Sequence, residues 1–184
     1  MVEINGKLIR DLYPSVCGKL YKRQLFDKIR FKRNIWYEDV ELLTRLYLMI
    51  NKLSIIEQPL YYYIQRESSI TYTYSDKLRD LINNWQDIIN YYKGNNAYQK
   101  YKGSLEFSFV RYAYATFIKR LSKSNDKKKF NEGVKFAINK VNEYFPDYKK
   151  NEYLSKRSCK NIYLKNFNMF FANIIYYLER NKKN

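Results

Sequence analysis

Apolar residues recur with helical spacing along much of the chain, and they set most of the expected elements. Over residues 22–29, Leu25, Phe26 and Ile29 share one face of one or two turns. The clearest helix is expected over 38–52. Val40, Leu42, Leu43, Leu46, Tyr47, Met49 and Ile50 repeat there, Glu38 and Asp39 occupy the first turn and Lys52 the last, as the helix dipole favours. Further helices are expected over 76–93 (Leu78, Leu81, Ile82, Trp85, Ile88, Ile89, Tyr92) and 97–123 (Leu105, Phe109, Tyr112, Ala113, Phe117). Two more follow, over 127–145, ended by Pro146, and over 161–180 (Ile162, Leu164, Phe167, Phe170, Phe171, Ile174, Ile175, Leu178). Gly94-Asn95-Asn96 and Ser124-Asn125-Asp126 separate them.

A different pattern lies between residues 53 and 65. Residues 53–58 and 60–65 read as strands interrupted at Pro59, and Leu60-Tyr61-Tyr62-Tyr63-Ile64 is β-prone and almost unbroken, as in a strand covered on both faces. Residues 14–21 suit a short strand or a loop. Residues 2–12 are ambiguous, because Asn5-Gly6 is a turn signal between mixed runs. The pattern therefore predicts an α/β front, residues 1–74, and an all-α tail, residues 75–184. With 5 Gly and 3 Pro there is little material for the turns of an all-β chain, so helix should predominate.

Composition narrows the chemistry. The chain has 184 residues, 46% of them hydrophobic, with 21 Tyr and 11 Phe, so the core should be rich in aromatic rings. Lys and Arg number 35 against 18 Asp and Glu, a formal charge of +17 that attracts anions without choosing among them. Asn, Lys, Ile and Tyr are abundant together, which an AT-rich genome would also produce, so the charge alone does not establish a functional surface. There is no His, which excludes histidine bases, Ser–His–Asp triads and histidine metal sites. Cys17 and Cys159 match no zinc or redox spacing, as suits a reducing compartment. The first six residues lack the apolar core of a signal peptide, and no run of about 18 apolar residues is long enough to span a bilayer.

Three segments in order carry a resemblance. Pro14-Ser15-Val16-Cys17-Gly18-Lys19-Leu20-Tyr21-Lys22-Arg23 comes first, then Tyr37-Glu38-Asp39. Pro59-Leu60-Tyr61-Tyr62-Tyr63 follows and runs on to Arg66-Glu67-Ser68-Ser69-Ile70-Thr71. Together they resemble the acceptor-side half of bacterial family 2 glycosyltransferases, whose GT-A fold is Rossmann-like; the likeness covers about a third of the chain. It implies inverting transfer of a sugar from a nucleotide-sugar donor to a polysaccharide or glycan acceptor. Asp39 would be the base that takes the acceptor's proton, and Glu38 would orient the acceptor. Arg66 and Ser69 would lie near the donor diphosphate and Lys19 would support the same phosphates. Trp36 is a candidate stacking platform for an acceptor ring, whereas Tyr21, Tyr61, Tyr62 and Tyr63 are expected in the core.

The sequence departs from the family in three ways. No Asp-x-Asp is present to hold Mg²⁺ or Mn²⁺, Ile64 stands where relatives often carry Arg, and no His lies near Arg66. The resemblance thus implies a partial enzyme that lacks its nucleotide-binding half, needs no metal or cofactor within these residues, and is inactive until completed. Without the surrounding pattern, Glu38 and Asp39 would read simply as residues capping and complementing a helix dipole.

Two other partners follow from the residues themselves. Residues 161–183 form a basic amphipathic stretch, ending in Arg180, Lys182 and Lys183, that suits either a helical bundle or a membrane surface. The expected location is cytoplasmic, with the inner face of the membrane as the surface met. The rival function is a basic binding module for nucleic acid or an anionic polymer, supported by Tyr91-Tyr92-Lys93 and Tyr98-Gln99-Lys100-Tyr101-Lys102, although no specific nucleic-acid motif is present.

Overall fold

A computed structural model describes residues 4–11, 14–64 and 74–181 of the chain. Among these residues there is no β-strand, and the architecture is helical throughout. The expected α/β front, and with it a partial Rossmann-like sheet, is therefore wrong. Residues 51–64 form no regular element, and no described residue exchanges a backbone hydrogen bond with them. A strand exists only as part of a ladder, and β-propensity reports how well side chains fit a pleated, half-buried surface. Here that surface is missing. Ile55 is 80% exposed and Tyr62 89%, and Tyr61 and Tyr63 are exposed as well, contrary to the core role expected of them.

That exposure has a measurable consequence. Backbone amides of residues 53–64 should exchange with solvent in seconds, as in an unfolded peptide, while those of Leu42 and Trp85 stay protected. Slow exchange in 53–64, measured by mass spectrometry at neutral pH, would show that the segment is paired in solution.

The front begins instead with α1 (Ile4–Asp11). Asn5-Gly6 does not turn the chain, because tertiary contacts use both residues. The Asn5 side-chain amide donates to the Tyr47 and Leu48 carbonyls at 2.8 and 3.1 Å, and Gly6 faces Ser104, whose Oγ lies 3.2 Å from where a Cβ would stand. The Ser108 hydroxyl donates to Ile9 O at 2.6 Å, fixing α1 against α4 (Tyr98–Arg111). A 3-10 turn at Arg23–Phe26 realises the short helical pattern, with Ile29 buried beyond it. α2 (Glu38–Leu46) closes in a 3-10 turn, Tyr47–Met49. It packs on α3 (Asp80–Gly94), where the Tyr92 hydroxyl donates to the Thr44 carbonyl at 2.8 Å.

The helix expected over 97–123 is a rod with a fault. α4 passes into a π-helical segment, Tyr112–Phe117, and resumes as α5 (Ile118–Leu121). A π turn shifts the hydrogen-bond ladder by one residue, strains it, and recurs at functional sites. The Tyr163 hydroxyl donates to the Tyr114 carbonyl within this segment at 2.6 Å. α6 (Lys127–Tyr144) is capped by Asp126, whose carboxylate accepts from the amides of Lys128 and Lys129.

The single helix expected over 161–180 is two: α7 (Cys159–Asn166) and α8 (Met169–Asn181). Phe167 is extended, and Asn168 caps the new helix by accepting from Phe170 N at 2.9 Å and Phe171 N at 3.2 Å. The core is aromatic, as the composition implied. Trp85 lies against Phe109 and Tyr112, and Phe109 in turn against Tyr144 and Phe145.

Candidate functional site

The residues singled out around Glu38-Asp39 meet at the start of α2. Tyr37, which precedes them, is left-handed with φ 60°. That region is uncommon for an aromatic side chain, and such strain persists only where surroundings impose it. Here the Tyr37 ring is packed beneath the Arg120 guanidinium, 5.4 Å from its centroid. The preceding residue is also pinned. Trp36 N donates to Asp80 Oδ2 at 3.0 Å and Trp36 O accepts from Asn84 at 3.1 Å, both on α3. The half-buried Trp36 side chain thus hangs on a fixed backbone.

Asp39 is half-buried, and its Oδ1 accepts from Val40 N at 2.8 Å. Burial raises its carboxyl pKa above the usual aspartate range and the neighbouring Glu38 charge adds to the rise. The Val40 amide and the Lys19 ammonium oppose it. Glu38 itself is exposed to solvent. Lys19 is half-buried; its ammonium donates to the Ser15 carbonyl, and burial lowers its pKa against the pull of Cys17 and Asp39. The structure thus brings Lys19, Glu38 and Asp39 together, with Trp36 adjoining. Arg66 and Ser69 lie outside the described residues.

The sequence pattern missed the rest of this patch. Tyr21 and Tyr37 are pushed up to about 12, first by burial and with the Asp39 charge contributing to each. Tyr47 is raised too, by burial, then by Tyr112, Tyr21 and Asp39, against the lowering effect of Arg111. The hydroxyls of Tyr21, Tyr37 and Tyr47 and the Nε of Arg111 are buried with no hydrogen-bond partner among the described residues. Buried polar atoms without partners are uncommon and costly, so three hydroxyls that feel one desolvated carboxylate mark the place as unusual. Tyr47 lies two turns beyond Asp39 on α2 and its adjoining turn, a spacing that could have flagged it. Arg111 and Arg120 come from α4 and α5, and no local signal connects them to Asp39.

Gly18, with φ 67°, ends the turn just before Lys19. Tyr61 lies over it, 3.7 Å from the position of an added Cβ. No group of three or more His, Cys, Asp or Glu side chains converges among the described residues.

Burial penalises the charged form of Asp39. Its folded pKa exceeds its unfolded value, so the stability it contributes is full below the unfolded pKa, about 3.9, and falls as pH rises through the folded pKa. Asp39→Asn keeps an amide oxygen for Val40 N and removes the charge. It should therefore raise the melting temperature at pH 7, and the gain should vanish near pH 3. A loss of stability at pH 7 would mean the ionised carboxylate is structural.

The Lys–Tyr interleaving behind the nucleic-acid reading has a different role. Tyr92 and Tyr101 are buried, edge to face at 5.9 Å, and Tyr98 is half-buried with Lys93 Nζ 5.2 Å from its ring centroid. Buried as they are, Tyr92 and Tyr101 are not free to stack on a base.

Comparison with protein-family models, with curated proteins and with solved structures gives no match for the chain.

Proposed function

We propose that the patch around Asp39 is the acceptor site of a sugar-transferring enzyme. A glycan hydroxyl there gives its proton to Asp39 as its oxygen attacks the anomeric carbon of a nucleotide-diphosphate sugar. The new bond joins acceptor oxygen to anomeric carbon, and the bond to the diphosphate breaks with its electron pair leaving on the nucleotide. The observation that carries the reading is the desolvated Asp39 carboxylate, raised in basicity, with the unpartnered hydroxyls of Tyr21, Tyr37 and Tyr47 near enough to feel its charge. Hydroxyls that both donate and accept suit a polyhydroxylated ligand. Lys19, Glu38 and Trp36 are the nearest supports, with Arg66 and Ser69 assigned to the diphosphate by resemblance alone.

The test is saturation-transfer NMR of the purified chain with a panel of neutral oligosaccharides at moderate salt. At least one should bind, and Tyr47→Phe and Asp39→Asn should each weaken it about tenfold, the scale of a lost hydrogen bond in a buried site. Binding unmoved by either substitution would overturn the assignment. So would affinity confined to RNA or DNA with a steep salt dependence, which belongs to a basic binding module.

A further inference from the structure

α8 is apolar on two sides. Its inner face, with Ala172 and Tyr176 buried, packs against α5 and α6. Its outer face carries Phe170 (69% exposed), Ile174, Tyr177 and Leu178 (56% exposed), spaced four, three and one apart as one stripe. A helix buried on one side only would place polar residues there.

Cations gather beside the stripe's C-terminal half. Lys127 Nζ stands 4.1 Å from the Tyr176 ring centroid and 5.1 Å from that of Tyr177, and it donates to Asn173 Oδ1. The Arg180 guanidinium lies 4.6 Å from the Tyr176 centroid and donates to the Ser124 carbonyl at 3.4 Å. Lys128 and Lys129, both exposed, follow Lys127 in the first turn of α6, and Lys182 and Lys183 follow α8 in sequence. The acids in these same segments are Asp126 and Glu179. Asp126 is engaged with the α6 amides, and Glu179 has interactions of its own. Burial lowers the Lys127 pKa, and the neighbouring Arg180 charge adds to it.

We propose that this face of α8 lies in the interface of an anionic lipid membrane. The stripe would enter the boundary between headgroups and acyl chains, and Lys127, Lys128, Lys129 and Arg180 would meet the phosphates. A helix satisfies its own backbone, so its apolar face can enter lipid; the unpaired 51–64 segment cannot, because its amides and carbonyls would be orphaned there. A second copy fits less well. A chain of charge +17 repels its twin, and four side chains fall far short of the 20–30 residues a side, roughly, that a stable protein interface needs. No helix among the described residues is long and apolar enough to cross a membrane, so the contact is superficial.

The test uses the whole chain with two vesicle preparations, phosphatidylcholine alone and phosphatidylcholine with one part in three phosphatidylglycerol. Co-sedimentation should occur with the anionic vesicles and fall steeply with salt. Phe170→Asp with Leu178→Asp should weaken it about tenfold or more, since both apolar anchors are lost. Lys128→Glu with Lys129→Glu should do the same. All four positions are exposed, so circular dichroism should show the fold retained. In Tyr177→Trp, the indole should be quenched by lipids brominated on the acyl chain. Vesicle binding that ignores the stripe substitutions overturns the proposal, as does an unquenched Tyr177→Trp. So does self-association without lipid that Phe170→Asp abolishes, which would make the face a protein interface. None of these outcomes bears on Asp39, whose substitution should leave vesicle binding unchanged.

Discussion

Trp85→Ala should cost about 3–5 kcal/mol, the range for truncating a fully buried large aromatic residue. A domain of this size is stable by about 5–15 kcal/mol, so the variant should be partly or wholly unfolded at 37 °C. Trp85 is fully buried on α3, its ring 5.3 Å from Phe109 and 5.9 Å from Tyr112. Phe109 passes the contact on to Tyr144 and Phe145 at the end of α6, and Tyr112 opens the π-helical segment. Three helices therefore lose a shared filler at once. The conservative variant separates volume from hydrogen bonding. The indole N–H is buried without a partner, so Trp85→Phe gives up volume and also removes an unsatisfied donor. Urea denaturation should place Trp85→Phe well above Trp85→Ala in midpoint. Equal losses would show that the N–H finds a partner in solution.

Gly133→Val should be the second large effect, a loss of about 3 kcal/mol, at the upper end of ordinary overpacking. Helix propensity argues the other way, since a glycine inside a helix costs about 1 kcal/mol relative to alanine. Tertiary packing decides. A Cβ at Gly133 would stand 2.5 and 2.8 Å from the two Cδ atoms of Leu121 and 3.3 Å from its Cγ. Leu121 is itself buried on α5, so it has little room to move. Glycine is there so that α5 and α6 can approach. Leu121→Ala alone should cost about 2–5 kcal/mol. Combined with Gly133→Ala, it should cost less than the sum of the two single changes, because the added methyl fills the vacated space. Strict additivity in a denaturation series would show that the two residues do not touch.

Residue spacing was enough to place most helices of residues 74–181, because an amphipathic repeat with capping residues is a local property. The Ser124-Asn125-Asp126 break before α6 and Pro146 after it are read directly, and so is the acidic start of α2. Composition likewise implied an aromatic core. Where local signals compete with distant contacts, reading by pattern failed. Asn5-Gly6 is a turn signal in any short window, yet Asn5 is taken up by carbonyls 42 and 43 residues away. The break at Phe167–Asn168 was hidden because the apolar repeat runs straight through it.

The strands expected over 53–65 show the limit most clearly. β-prone residue types over 53–64 are a local property, but whether they form a strand depends on a neighbouring ladder, and the described residues supply none. The candidate site divides in the same way. Glu38, Asp39, Lys19 and Trp36 were legible from residue types and order. The Arg120 side chain reaches Tyr37 and the hydroxyls of Tyr21, Tyr37 and Tyr47 come near Asp39 only through the tertiary fold. Desolvation, which raises Asp39, is a property of that packing and of no stretch of sequence. Periodicity fixes which face a helix buries; only the assembled core fixes what that face meets.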